Sequence, residues 1–166
     1  MATAVHNLSE YDPTSVPSGA GRRFALVVSE WNREITDALR AGARETLLKH
    51  GVAEADIVET WVPGSFELAL GAQLMLEKGG LDGVVCLGSV VRGETPHFDF
   101  VAGESARGIA RAAEETGVPV LFGVLTVNTM EQAMDRSGGA MGNRGADAAR
   151  AAVEMARLAK ALRSEY

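Results

Sequence analysis

Residues 83–116 read GVVCLGSVVRGETPHFDFVAGESARGIARAAEET, and this stretch decides the predicted fold. Residues 83–88 are apolar or small throughout, which is typical of a strand buried on both faces. A polar loop follows, and a helix is predicted from about Phe98 to Thr116, where Gly117 supplies a common helix stop. A buried strand that leads through a polar loop into a long helix predicts one unit of a parallel sheet covered by helices.

The same alternation of strand and helix extends in both directions from this stretch. Further strands are predicted at residues 24–28, 57–62 and 118–125. Further helices are predicted at residues 33–50, 65–76, 129–136 and 146–162, with a glycine-rich turn at 137–145. Ser65 is expected to cap the second of these elements, and Thr129 with Gln132 to form a capping box at the short helix. Together the elements predict an α/β fold, a three-layer α/β/α sandwich around a four-stranded parallel sheet.

The composition is that of a globular domain. Hydrophobic residues make up 46% of the 166 residues and charged residues 23%, which argues against a disordered chain. No run approaches the ~18 unbroken apolar residues of a membrane span. The net charge, 16 − 22 = −6, argues against a general nucleic-acid binder but leaves room for one local phosphate pocket. We therefore expect neither a nucleic-acid nor a membrane partner.

The first 21 residues differ from the rest of the chain. They are polar and interrupted by Pro13 and Pro17, so they bury little and are either flexible or ordered by a partner. We predict a flexible N-terminal arm at residues 1–21 and a single domain at residues 22–166. The arm has no basic segment followed by an apolar core, so we expect a cytoplasmic protein without a secretory signal.

Several standard catalytic signatures are absent from the sequence. It has no GxGxxG after the first strand and no GxxxxGK[ST], GxSxG, HExxH or CxxC. The single cysteine, Cys86, also excludes disulfides and cysteine zinc sites. Neither a cofactor nor a metal is therefore expected.

Ligands of parallel sheets bind outside the carboxyl ends of the strands, so the loops after the strands hold the candidate site. Trp31 follows the first strand and suits stacking on a planar heterocycle, with a half-buried packing role as the alternative. Gly64 and Ser65, with Glu67, offer N–H groups, a hydroxyl and a carboxylate at a helix start. These groups suit a polyhydroxylated ligand, with ordinary capping as the alternative.

The loop before the third helix is the most informative. Gly93, Glu94 and Thr95 precede a helix start, where free N–H groups and a hydroxyl suit an anion such as phosphate. His97 lies at that start, and an imidazole exchanges protons near neutral pH, with a surface or packing role as the alternative. Arg136 follows the fourth strand and has a planar fork that matches phosphate, with a solvated surface charge as the alternative.

Five stretches carry a resemblance to a known family: SEWN, VPGSFELAL, CLGSVVRGETPHFDFVA, GVLTVNTMEQAMDRSG and GNRGADAARAAVEM. They run in order from about Phe24 to Leu162, and together they resemble the lumazine synthase family of riboflavin biosynthesis. The resemblance implies a flavodoxin-like fold. It also implies condensation of 5-amino-6-(D-ribitylamino)uracil with 3,4-dihydroxy-2-butanone 4-phosphate to 6,7-dimethyl-8-ribityllumazine, phosphate and water.

The resemblance also implies roles for individual residues. The positions that match binding of the pyrimidine and ribityl groups are Trp31, Gly64, Ser65, Glu67, Val90 and Val91. Those that match the phosphate-binding turn are Gly93, Glu94 and Thr95, and His97 matches the general base. Phe122, Arg136 and Arg144 match residues contributed by the neighbouring subunit, with Arg136 on the phosphate.

The resemblance further implies assembly into homopentamers, twelve of which close into an icosahedral shell in some members. The turn at 137–145 is similar to that of the shell-forming members, so we expect the sixty-subunit form, with riboflavin synthase as a candidate partner. Two departures stand out. Arg144 replaces the usual lysine, and the turn lacks the lysine usual near Ala140 or Met141, so the Arg144 contact is expected to differ.

Two rival functions share this fold. A catalytically weakened shell-forming or flavin-binding homologue would need neither His97 nor Arg136, and the presence of both argues against it. A flavodoxin-like redox carrier would hold a tightly bound yellow cofactor.

Overall fold

The structure, a computed structural model, describes residue 7 and residues 9–165. The central sheet consists of four parallel strands: β1 (Phe24–Ser29), β2 (Ile57–Val62), β3 (Gly83–Val91) and β4 (Val120–Val127). Their order is β2-β1-β3-β4, so β1 and β3 occupy the centre. Phe24 lies opposite both Ile57 and Gly83. The predicted four-stranded parallel sheet is confirmed.

Helices cover both faces of the sheet. In the described residues they are α1 (Arg33–Lys49), α2 (Leu68–Glu77), α3 (His97–Thr116), α4 (Met130–Asp135) and α5 (Arg144–Ser164). α1 and α5 pack on one face, and α2 and α3 pack on the other. This arrangement confirms the three-layer α/β/α sandwich. None of these helices is long and apolar enough to cross a membrane.

Alternate strand residues feed two separate apolar cores. In β1, Phe24, Leu26 and Val28 belong to the core under α1 and α5, whereas Ala25 and Val27 belong to the core under α2 and α3. All five side chains are fully buried. Because both faces of β1 are covered, its sequence is apolar throughout, and that pattern made the strand predictable.

The ends of β3 and β4 differ from the prediction. β3 continues past residue 88, and its ladder with β4 ends only where Val91 lies opposite Val127. Gly88 and Ser89 suggest a turn in the sequence, but both are buried inside the sheet. β4 begins at Val120, two residues later than predicted and just after Pro119, which has no N–H for the ladder.

The start of α2 also differs from the prediction. Residues 65–67 form a 3-10 turn ahead of the helix. Glu67 closes this turn, since its Oε2 accepts a hydrogen bond from the Gly64 N–H at 3.0 Å. The expectation that Ser65 caps the helix is wrong, because the Ser65 side chain is buried and lies against Gly88 of β3.

The segment after β4 contains a feature that the sequence pattern missed. Thr129 Oγ1 accepts a hydrogen bond from the Gln132 N–H at 3.1 Å, as the predicted capping box requires. Gln132 Oε1 accepts from the Asn128 N–H instead of the Thr129 N–H, so only the first half of the box forms. The glycine-rich turn then holds an antiparallel hairpin of β5 (Ser137–Gly139) and β6 (Gly142–Asn143). Strands of three and two residues are too short to show an alternating pattern.

The described part of the N-terminal arm lies against α1 and α5. Val16 belongs to the core beneath these helices, and Tyr11 packs against that core. The Gly19 N–H donates to the His50 carbonyl at 2.7 Å. The arm's predicted flexibility and its boundary at residue 21 stay predictions, and residues 1–6 and 8 lie outside the described residues.

Candidate active site

A cleft of about 580 Å³ lies at the carboxyl ends of β1, β2 and β3. It is the place where a parallel sheet is expected to bind its ligand. The cleft is lined by Trp31, Pro63, Gly64, Ser65, Phe66, Glu67, Ser89, Val90, Val91, Gly93, Thr95, His97, Phe98 and Val101. Nine residues of the predicted site are among them: Trp31, Gly64, Ser65, Glu67, Val90, Val91, Gly93, Thr95 and His97.

One wall of the cleft carries the Trp31 indole, which is 74% exposed. The backbone N–H of Trp31 donates to the Pro63 carbonyl at 3.1 Å, which ties the end of β1 to the end of β2. Asn32 follows in a left-handed conformation (φ 60°) and donates from Nδ2 to the Ser89 carbonyl at 3.0 Å. This tight turn leaves the indole face open to a planar ligand.

The turn after β2 presents polar groups at a fixed position. Ser105 Oγ donates to the Ser65 carbonyl at 2.9 Å and holds the turn against α3. Glu67 is half-buried, and one of its carboxylate oxygens accepts from the Gly64 N–H. Glu67 lines the cleft, and its other carboxylate oxygen has no hydrogen-bond partner among the described residues, so it can accept a hydrogen bond from a ligand hydroxyl.

The loop from β3 to α3 forms the opposite rim. Gly93 has open space around its Cα, so its backbone is accessible to a ligand. Thr95 and His97 both line the cleft and are exposed, with His97 as the first residue of α3. The first N–H groups of a helix have no intrahelical acceptor, so this rim combines free N–H donors, a hydroxyl and an imidazole.

Glu94 is exposed on the same loop but does not line the cleft. Arg92, which the sequence analysis did not assign to the site, lies beside this rim. Its guanidinium carbon stands 4.2 Å from the Phe98 ring centre, and its Nε donates to Asn128 Oδ1 at 3.0 Å. Arg92 therefore supports the rim through contacts with its own chain.

Phe122, Arg136 and Arg144 do not line the cleft of their own chain. Phe122 lies on the edge strand β4 opposite Cys86, four residues before Thr126, which lies opposite Val90. At ~3.3 Å per strand residue, that separation is about 13 Å.

Arg136 and Arg144 make hydrogen bonds to residues outside the cleft. Arg136 Nη1 donates to the Gln132 carbonyl at 3.2 Å, and Arg144 Nη1 donates to Asp147 Oδ2 at 2.7 Å. No lysine or arginine is among the described residues that line the cleft. A phosphorylated ligand in this cleft therefore finds backbone and hydroxyl donors but no lysine or arginine among the described lining residues.

Buried hydroxyls are the feature that sequence reasoning missed. Ser29 Oγ and Ser89 Oγ are fully shielded and have no hydrogen-bond partner among the described residues. Ser89 also lines the cleft. A serine after an apolar run predicts a strand end, so nothing in the local pattern distinguishes these two from ordinary loop serines.

The described residues include no candidate metal site and no reactive thiol. Among the described residues, no group of three histidine, cysteine, aspartate or glutamate side chains could hold a metal ion. Cys86 is buried in β3, and burial raises the pKa of its thiol to about 12. The thiol therefore stays protonated at neutral pH and is a poor nucleophile.

Comparison with known proteins gives one consistent family. A sequence profile of the 6,7-dimethyl-8-ribityllumazine synthase family matches residues 21–160. Proteins of that name from Phocaeicola vulgatus and Cytophaga hutchinsonii are each 50% identical to this chain over 155 residues. These alignments cover 93% of this chain and, respectively, 92% and 97% of the two relatives.

A relative of the same name from Porphyromonas gingivalis is 48% identical over 158 residues, which is 95% of this chain and 98% of the relative. The alignments cover nearly the whole length of this chain and of each relative, so they include every loop of the cleft. The resemblance seen in the five sequence stretches is thereby confirmed. The chain belongs to the 6,7-dimethyl-8-ribityllumazine synthase family.

Proposed function

We propose that this chain is a transferase of riboflavin biosynthesis. It condenses 5-amino-6-(D-ribitylamino)uracil with 3,4-dihydroxy-2-butanone 4-phosphate to give 6,7-dimethyl-8-ribityllumazine, phosphate and water. The observation that carries the proposal is the cleft. Trp31, Glu67 and His97 come from three separate segments and line one cavity, in a chain whose family is named for this product.

The pyrimidine and its ribityl group occupy the inner part of the cleft in this proposal. Trp31 stacks on the pyrimidine ring, and the Val90 and Val91 backbones line its edge. Gly64, Ser65 and Glu67 hold the ribityl hydroxyls. The free oxygen of Glu67 and the exposed indole support this orientation.

The phosphate of the second substrate binds at the rim formed by Gly93, Glu94 and Thr95. Open space at Gly93 and the start of α3 beside it support this placement. Arg136 of a neighbouring subunit supplies the permanent positive charge, because no lysine or arginine among the described residues lines the cleft. A guanidinium suits this role, since its fork matches two phosphate oxygens.

His97 acts as the general base and acid. The amine of the pyrimidine adds to the ketone, and loss of water gives an imine. Phosphate then leaves by elimination, and the ribitylamino nitrogen closes the ring with loss of a second water. Each step moves a proton, which an exposed imidazole at the cleft can take up and return. Holding the two substrates together contributes up to ~7–11 kcal/mol of barrier reduction in well-oriented cases.

The active assembly in this proposal is a homopentamer, with Phe122, Arg136 and Arg144 completing the cleft of the adjacent subunit. Apolar side chains stand exposed at every fourth residue along the 3-10 turn and the α2 helix that follows it: Phe66, Leu70 and Leu74. Phe122 on the edge strand β4 is exposed as well. Such surfaces on a single chain mark a protein contact.

The 137–145 turn resembles that of the shell-forming members in its length and GN element. This resemblance supports closure of twelve pentamers into a shell, with riboflavin synthase as a candidate partner. The proposed location is the cytoplasm.

The first experiment mixes the purified protein with both substrates and follows lumazine formation by absorbance, with the uncatalysed condensation as the blank. A rate well above the blank is expected. A rate equal to the blank, from a folded assembly, would reject the synthase and favour a homologue that only binds a ligand or builds a shell. Arg144 would then be the first residue to replace by lysine.

A further inference from the structure

We propose that Ser9, in the N-terminal arm, is a positioning residue for Arg136 and Arg144. The inference rests on the proposed function, in which those two arginines complete a neighbouring cleft. Ser9 Oγ accepts a hydrogen bond from the Asn143 N–H at 2.8 Å and donates to the Asn143 carbonyl at 3.3 Å. One hydroxyl of the arm thus satisfies both backbone polar groups of Asn143.

Asn143 fixes the position at which α5 begins. Its Oδ1 accepts from the Ala146 N–H at 3.1 Å and caps α5. Its Nδ2 donates to the Ala38 carbonyl of α1 at 3.0 Å. The side chain thereby joins α5 to α1, and the backbone of the same residue is joined to the arm by Ser9.

Arg144 and Arg136 are both linked to Asn143 through the backbone. Arg144 follows Asn143 directly, and its N–H donates to the Arg136 carbonyl at 2.9 Å. Both guanidinium groups are anchored as well, on Gln132 and Asp147. A shift of Asn143 therefore moves Arg144 and, through the hydrogen bond, Arg136.

The glycine at residue 142 makes room for the arm. Gly142 has φ +87°, a conformation that favours glycine. A Cβ built there would collide with Ser9 Oγ and Asn7 Oδ1. Asn7 Oδ1 in turn accepts from the Ser9 N–H at 3.0 Å, which orients the serine.

Further along, the arm is anchored on α1 and α5. Tyr11 Oη lies 2.6 Å from His50 Nε2. The guanidinium carbon of Arg150 stands 4.4 Å from the centre of the Tyr11 ring. These contacts, two residues from Ser9, hold the arm in place without involving the turn at Asn143.

The test compares Ser9→Ala with Ser15→Ala in the full chain. Ser15 belongs to the same arm, but its Oγ donates to the Asp12 carbonyl and does not reach the turn. For Ser9→Ala we expect KM for the phosphorylated substrate to rise about 3- to 10-fold, the effect of one lost hydrogen bond, with kcat changed by less than about twofold. Ser15→Ala should match the wild type, and Ser9→Thr, which keeps the hydroxyl, should restore most of the affinity.

Hydrogen exchange at residues 142–146 gives a second readout that needs no substrate. Ser9→Ala should speed exchange of the Asn143 and Arg144 amides, while the assembly mass stays that of the wild type. Equal KM and equal exchange in Ser9→Ala and Ser15→Ala would overturn the proposal, and so would a loss of assembly as the sole effect. If wild-type protein gave no turnover, faster exchange in Ser9→Ala would show that Ser9 holds the turn, and the role toward this reaction would be rejected with the proposed function.

Discussion

His97 is exposed at the first position of α3, so its proposed role is proton transfer rather than packing. We expect His97→Ala to slow turnover by about 10²-fold, the low end for general acid–base catalysis. Assembly and unfolding free energy should be unchanged. Steady-state kinetics with both substrates measures the effect, and Glu115→Ala, at the exposed far end of α3, serves as the control. Wild-type turnover in His97→Ala would remove the imidazole from the mechanism.

Arg136 is the second residue whose role is separable by substitution. We expect Arg136→Ala to raise KM for the phosphorylated substrate about tenfold or more, since a charge-assisted contact is lost. Arg136→Lys should recover only part of this loss, because lysine keeps the charge without the fork. Arg157→Ala, an exposed arginine on α5, is the matched control. A normal KM in Arg136→Ala would reject the phosphate contact.

Individual site residues were predictable where the side-chain type and its position after a strand were enough, without knowledge of which residues lie near it in space. Trp31 and His97 were found because their side-chain types are uncommon and both follow a strand end. Ser89 was missed because its relevance comes from burial beside the cleft, which only the fold creates. Phe122 was assigned through the family resemblance alone, and Arg136 through its fork geometry together with that resemblance. That neither lines the cleft of its own chain could not be derived from local pattern.

Close packing of α5 against α1 depends on one glycine. A Cβ at Gly145 would fall 2.7 Å from the carbonyl carbon of Leu39. We expect Gly145→Ala to lower the free energy of unfolding by about 1–3 kcal/mol, because the two helices must separate. Gly103, in α3, has open space around it, so Gly103→Ala should instead stabilise by about 0.5–1 kcal/mol. Urea unfolding of both variants measures the contrast, and equal effects would contradict it.

The contact between the arm and α1 should respond to pH through His50. Burial, with Lys49 and Arg150 nearby, lowers the pKa of His50, and Glu154 opposes this shift. The folded state therefore disfavours the protonated imidazole. Its stabilising contribution is fully present above the ordinary histidine pKa and is lost as the pH falls through the lowered value.

We therefore expect the free energy of unfolding to decrease between about pH 7 and about pH 5, more steeply in the wild type than in His50→Gln. Urea titrations at a series of pH values measure both slopes. Parallel curves for the two proteins would show that His50 does not carry the dependence.

At the scale of elements, the fold followed from apolar pattern wherever a strand was buried on both faces. β2 matches its predicted residues, and the long helices begin or end within a few residues of the expected positions. The errors lie where tertiary pairing overrides local preference. β3 continues through Gly88 and Ser89 because β4 supplies partners for its backbone, and that information is not local.

For the whole molecule, the proposed pentamer predicts that two impaired variants restore each other when they assemble together. In that assembly, each cleft takes His97 from one chain and Arg136 from the next. Co-assembly of equal amounts of His97→Ala and Arg136→Ala should therefore return about one quarter of the clefts to wild-type composition. The measurement is turnover after joint refolding, compared with the two variants refolded separately and then mixed. No recovery on joint refolding would place both residues in one chain's site.

The exposed face of α2 gives a further test of assembly. Leu70 is 60% exposed on the single chain, and Leu70→Glu should weaken the contact between subunits because a charge would be buried there. Light scattering should report a smaller particle, while Glu77→Gln at the end of the same helix should leave the mass unchanged. A full-sized particle from Leu70→Glu would exclude this face from the interface.

Among the described residues, the cleft has no lysine or arginine of its own, and this affects how activity is controlled. Under the proposed assembly, an isolated folded subunit is a dormant form. Its specific activity then depends on concentration, and dilution silences the protein before any secondary structure is lost. In a cell that makes too little of the polypeptide, the subunits would be folded but unassembled and inactive. The rate of product formation would then rise more steeply than the concentration of the polypeptide.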